Sequence, residues 1–87
     1  MTNLQKDILI YTKDYCPYCT RAKDFFKSKS LSYREIDITQ DTVLQQQMLA
    51  QSNGRKTVPQ IFIGGLHIGG WDDLHAMHTS GELENLL

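Results

Sequence analysis

Cysteine is scarce in this sequence. There are two, Cys16 and Cys19, among 87 residues, so a closed zinc site cannot be built from cysteine alone and would have to recruit histidine. Proline is equally rare, and no linker, repeat or low-complexity segment interrupts the chain. Charge of either sign is not in excess: nine Lys and Arg stand against ten Asp and Glu, for a net charge of −1. The basic residues are scattered, which argues against a nucleic-acid or anionic-membrane surface. Long apolar runs are missing too, since residues 8–11 and 61–63 fall far below the roughly 18 residues of a transmembrane helix. The expectation is one soluble domain over residues 1–87, with neither nucleic acid nor membrane as partner.

Residues 1–7 are polar and lack the basic start, apolar core and small-residue cleavage site of a signal peptide, so a cytoplasmic location is expected. The thiol pool of that compartment keeps cysteine pairs reduced. Cys16 and Cys19 therefore read as catalytic or metal-binding, not as a permanent disulfide.

The run Ile8, Leu9, Ile10, Tyr11 and Thr12 has the pattern of a strand buried on both faces. Pro17 suits the first position of a helix, which puts Cys16 at the helix N-terminus. Cys19, Ala22, Phe25 and Phe26 recur at three- and four-residue steps and predict an amphipathic helix to about Lys29. Residues 33–38 mix aromatic and β-branched with polar residues, as a second strand parallel to the first. Asp41 is the expected N-cap of a second helix carrying Val43, Leu44, Met48 and Leu49, stopped by Gly54. Gln60 to Ile63 and Leu66 to Ile68 flank Gly64 and Gly65, a hairpin signal. Asp72 or Asp73 is expected to cap a third helix through Leu74 and Met77, with Leu83, Leu86 and Leu87 packing after a break near Gly81. The order βαβ then αββα predicts an α/β fold, one sheet of about four strands flanked by about three helices.

A thiolate is the working form of a reactive cysteine, and the unpaired N–H groups at a helix N-terminus, with Lys13 nearby in sequence, favour negative charge on Cys16. Cys19 lies one turn further in, on the apolar face, and is expected to be more buried, less acidic and within disulfide reach. The competing metal reading would need His67, His75 or His78; the last two read as solvated helix residues. Thr57, Val58 and Pro59 precede a strand. They fit an ordinary edge-strand proline, or a loop that offers the Val58 backbone to an extended peptide. Gly69, Gly70, Trp71, Asp72 and Asp73 fit a hairpin exit with a helix start, or a site for the carboxylate and ammonium of an amino-acid head. The pattern leaves both pairs of readings open, and Trp71 fits either beside such a site or against the sheet.

Taken in order, Cys16, Pro17, Tyr18 and Cys19, then Thr57, Val58 and Pro59, then Gly69, Gly70, Asp72 and Asp73 make the chain resemble the dithiol glutaredoxins over essentially its whole length. The resemblance implies a thioredoxin-like fold, a cis Val58–Pro59 bond and a groove for glutathione, used as co-substrate with no tightly bound cofactor. By position, Cys16 corresponds to the nucleophile and Cys19 to the resolving thiol. Tyr18 lines the groove, Lys13 meets the glycyl carboxylate, and Val58 pairs with the cysteinyl backbone with Thr57 assisting. Gly70, Trp71, Asp72 and Asp73 hold the γ-glutamyl end. Trp71 is bulkier than the residue common there, and Lys56 stands where some relatives have arginine. The implied partners are glutathionylated or disulfide-bonded proteins, ribonucleotide reductase among the candidates, with glutathione reductase acting indirectly through glutathione; the chain is expected to be a monomer. Two other readings are an iron–sulfur carrier, against which Pro17 argues, and a thioredoxin-like protein served directly by a flavin reductase, against which the features around Gly70 argue.

Overall fold

In the computed structural model, which describes residues 6–87, β1 (Ile8–Thr12) alternates its side chains between two apolar layers. Residues 1–5 of the polar N-terminal stretch lie outside the described residues. Ile8 and Ile10 face one layer and Leu9 and Tyr11 the other, the period-two consequence of a pleated strand buried on both sides. α1 (Pro17–Ser28) and β2 (Arg34–Asp37) follow, then α2 (Thr42–Gln51), β3 (Gln60–Ile63), β4 (Leu66–Gly69), α3 (Trp71–Ser80) and α4 (Glu82–Leu86). The sheet order is β2-β1-β3-β4, with β2 parallel to β1 and the other two pairings antiparallel. The expected four-stranded mixed sheet is thus present. It carries four helices where about three were expected, because the segment after the left-handed Gly81 coils into α4 and buries Leu83.

The sheet separates two cores. On one face Ile8, Ile10, Ile61 and Ile63 meet Ala22 and Phe26 of α1, Leu74 of α3 and Leu83 of α4. On the other, Tyr11, Ile38 and Phe62 meet Met48 of α2. The Tyr11 hydroxyl, fully buried, stays satisfied by donating to Gln51 Oε1 at 2.9 Å and accepting from Gln47 Nε2 at 2.8 Å. Phe26→Ala should be the most damaging single change in the first core, lowering stability by about 3–5 kcal/mol, a large part of a small domain's total. Urea unfolding followed by circular dichroism would measure it; a cost below about 1 kcal/mol would mean that this core is loosely packed.

Local signals explain most boundaries. Asp41 Oδ1 accepts from the Leu44 N–H at 2.9 Å, the expected cap of α2. Gly64 and Gly65, at φ 58° and 83°, make the two-residue turn that suits the twist of the flanking strands. The start of α3 differs from expectation: neither Asp72 nor Asp73 is its N-cap. The helix begins at Trp71 with Gly70 as cap, and Asp73, one turn in, reaches back to accept from the Gly70 N–H at 2.9 Å. α2 ends at Gln51 and the expected stop follows it: Asn53 and Gly54 turn left-handed at φ 59° and 84°, and the Gly54 N–H donates back to Leu49 O at 2.8 Å.

Candidate active site

Cys16 is the N-cap of α1, in extended backbone at φ −114° and ψ 98°, with Pro17 at the first helical position. Its Sγ accepts from the Cys19 N–H at 3.1 Å, one of the donors that the first turn of a helix leaves without a backbone partner. That places the sulfur at the N-terminal end of the helix dipole. Cys19, one turn on, is 2% exposed. Burial, reinforced by the neighbouring Cys16 sulfur, pushes its thiol up to about 12. Both cysteines are free thiols in this structure. The expected division into an accessible and a buried sulfur is present.

The loop before Cys16 is pinned. The Asp14 N–H donates to Thr39 Oγ1 at 2.9 Å, and that hydroxyl donates in turn to Asp37 Oδ1. Tyr15 is held at φ 54° with its side chain fully exposed. Opposite stands the loop of Thr57, Val58 and Pro59, whose Val58–Pro59 bond is cis. The Val58 carbonyl lies 3.7 Å from Cys16 Sγ. A relay through the buried Gln60 holds this loop: His67 Nε2–H donates to Gln60 Oε1 at 2.7 Å, and Gln60 Nε2 donates to Thr57 O at 2.9 Å. Burial, aided by the charge of Arg55, pushes the His67 ring down, which suits a neutral imidazole in this role.

Beside the loop opens a cleft of about 180 Å³ lined by Tyr18, Arg55, Thr57, Val58, Pro59, Gly70, Trp71, Asp72 and Asp73. Eight of these nine were singled out from the sequence; Arg55 was not. Arg55 Nη1 reaches Asp73 Oδ2 at 3.2 Å, and the Gly70 N–H, with help from Arg55, holds the Asp73 carboxyl below its ordinary range. Gly69 sits at φ 119°, and a Cβ there would strike the Asp73 carboxylate and Arg55, so only glycine lets the three groups converge. Trp71 answers the question left open by its sequence. One side of the ring packs edge-on against Phe25 at 6.0 Å between centroids, and the residue also lines the cleft.

Lys13 stands apart from that lining. It is exposed and borders two other hollows, one with Cys16 and Cys19, the other with Gln45, Met48 and Lys56. Of the histidines, His75 is exposed as expected, whereas His78 is half-buried against Phe25 at 4.9 Å, a correction to the solvated reading. No group of three or more His, Cys, Asp or Glu arranged to hold a metal ion occurs among the described residues.

A Cys-Pro-Tyr-Cys pair heading the first helix of this sheet, with a cis-proline loop across it, is the architecture of a thiol–disulfide oxidoreductase of thioredoxin-like fold. The glutaredoxin family model matches residues 8–68. The chain belongs to the glutaredoxin family. Glutaredoxin 3 of Escherichia coli (strain K12) is 48% identical over 81 residues, covering 93% of this chain and 96% of the relative. The solution structure of glutaredoxin from Brucella melitensis superposes with a TM-score of 0.84 at 42% identity, over 100% of this chain and 94% of that one. The crystal structure of a buckwheat glutaredoxin–glutathione complex superposes with a TM-score of 0.83 at 36% identity, over 92% of this chain and 74% of that one.

Proposed function

We propose that this oxidoreductase works with glutathione in the cytoplasm, reducing protein–glutathione mixed disulfides through Cys16 alone and protein disulfides through Cys16 with Cys19 as resolving thiol. The observation that carries the reading is the cleft beside Cys16, in which a peptide backbone edge at Val58, a helix N-terminus at Gly70 and two carboxylates at Asp72 and Asp73 converge. Glutathione has the matching groups: an extended main chain and an amino-acid head with both charges. Lys13, Lys56 and Gln45 around the neighbouring hollow suit its glycyl carboxylate.

In the first route the Cys16 thiolate attacks the glutathione sulfur of a glutathionylated protein. The protein thiolate leaves and takes up a proton, and Cys16 is left joined to glutathione. A second glutathione thiolate attacks that glutathione sulfur, releasing oxidised glutathione and the Cys16 thiolate. In the second route Cys16 forms a mixed disulfide with the target protein, Cys19 displaces the target, and glutathione reduces the resulting internal disulfide. NADPH enters only through glutathione reductase.

A glutathione-coupled assay on a low-molecular mixed disulfide tests the reading. Turnover with a thioredoxin reductase but none with glutathione would overturn it. Within the same assay Asp73→Asn separates charge from capping, because the amide oxygen can still accept from the Gly70 N–H. The expected result is an apparent KM for glutathione raised roughly tenfold, the loss of one charge-assisted hydrogen bond, with Tm nearly unchanged. Unaltered kinetics would mean that the γ-glutamyl end lies elsewhere.

A further inference from the structure

Cys19 opens towards a second hollow of about 360 Å³, separate from the peptide cleft and lined by Lys13, Asp14, Tyr15, Cys16, Pro17, Cys19, Thr20, Lys23, Glu35 and Asp37. Lys23 follows Cys19 by four residues on α1, so the two share one helix face. It is not a free surface lysine. Its Nζ donates to Glu35 Oε2 at 3.0 Å, and the Thr12 hydroxyl, from the buried end of β1, donates to the same oxygen at 2.7 Å. Only 27% of the Lys23 side chain is exposed, so its charge is less screened than that of an ordinary helix lysine. Thr12 and Glu35 sit on the neighbouring parallel strands β1 and β2, which fixes the anchor to the sheet.

We propose that Lys23, held in place by Glu35 and Thr12, is the positioning charge that lets the buried Cys19 act as a thiolate in the resolving step. The inference rests on the reading of Cys19 as the resolving thiol. In that step the Cys19 S–H proton leaves to water in the hollow and the Cys19 sulfur attacks Cys16 Sγ. The Cys16–glutathione bond breaks, and glutathione departs as a thiolate that takes up a proton. Cys19 is oxidised and the glutathione sulfur is reduced. Burial opposes the first event; a hydrogen bond from the Lys13 backbone and the charge of Lys23 both work against it, and Lys23 is the one that a side-chain substitution removes. When glutathione later attacks Cys16 Sγ of the internal disulfide, the same ammonium meets the departing Cys19 thiolate.

The charges facing Cys19 come from three directions. Lys23 lies on α1 with Cys16 at its cap, Lys13 and Asp14 on the loop before it, and Glu35 and Asp37 on β2; Tyr33 acts on Lys23. The carboxylate nearest to Lys23 is engaged: burial opposes its charge, but the hydrogen bonds from Thr12 and Lys23 outweigh it and hold Glu35 below its ordinary range. The Glu35 bond in turn pushes Lys23 up, so it stays an ammonium.

The test mixes the reduced protein rapidly with oxidised glutathione, quenches with acid and counts mixed and internal disulfide by intact mass across a pH series. Lys23→Met and Lys23→Gln should slow internal closure about tenfold at neutral pH and move the midpoint of its pH profile up by about one unit. Lys23→Arg should restore both. The rate at which glutathione first joins Cys16 should not change. Closure in Lys23→Met at the wild-type rate and midpoint overturns the proposal, and so does equal slowing of the first step, which would put the charge to work on Cys16. A wild-type protein that takes up glutathione but never closes overturns the proposal together with the resolving role of Cys19, a result distinct from either.

Discussion

Cys16→Ser is expected to bring every thiol-transfer activity down to the uncatalysed rate. A serine hydroxyl stays protonated at any working pH and attacks disulfides poorly. Cys19 cannot take over, being 2% exposed, and its burial, which the substitution leaves in place, pushes its thiol up. The substitution should leave the fold intact, since Cys16 occupies an N-cap and accepts from the Cys19 N–H, a place that serine fills at least as well. The measurement is turnover of a glutathione mixed disulfide beside a thermal melt. An unchanged Tm with activity still well above background would mean that the two sulfurs have been assigned in the wrong order, as would labelling of Cys19 before Cys16 by a limiting alkylating agent in the wild type.

Cys19→Ser should divide the activities. Removal of glutathione from a glutathionylated protein needs Cys16 and a second glutathione, so it should persist. Reduction of a protein disulfide should fall by on the order of tenfold or more, because displacement of the target by a tethered thiol is replaced by a bimolecular reaction with free glutathione. The two substrates should be assayed side by side at equal glutathione. Equal loss of both would mean that the Cys19 sulfur does more than resolve.

Much of the fold is legible because its signals are local. The apolar run of β1, Pro17 after Cys16, Asp41 before α2 and the Gly64, Gly65 pair each act within a few residues, and each stands where expected. The α3 start was misread for a related reason: an aspartate one turn inside a helix can reach back to the cap as well as stand at it, and sequence distance does not separate the two. Eight of the cleft residues were legible as motifs, yet Arg55 was not. Its part depends on Asp73, eighteen positions away, and only the hairpin brings them together. Thr12, Lys23 and Glu35 escaped for the same reason, since strand pairing and a helix face, not spacing, join them. The relay of His67, Gln60 and Thr57 likewise has no sequence signature: a glutamine at the start of a strand reads as a polar edge, not as the bolt of a loop.

The topography around Cys16 carries one more consequence. With Tyr15 fully exposed and Tyr18 about half exposed, the thiol sits on a rim and not at the bottom of a funnel. A rim of that shape leaves room for a disulfide carried on the surface of a folded protein as well as for one on a small peptide.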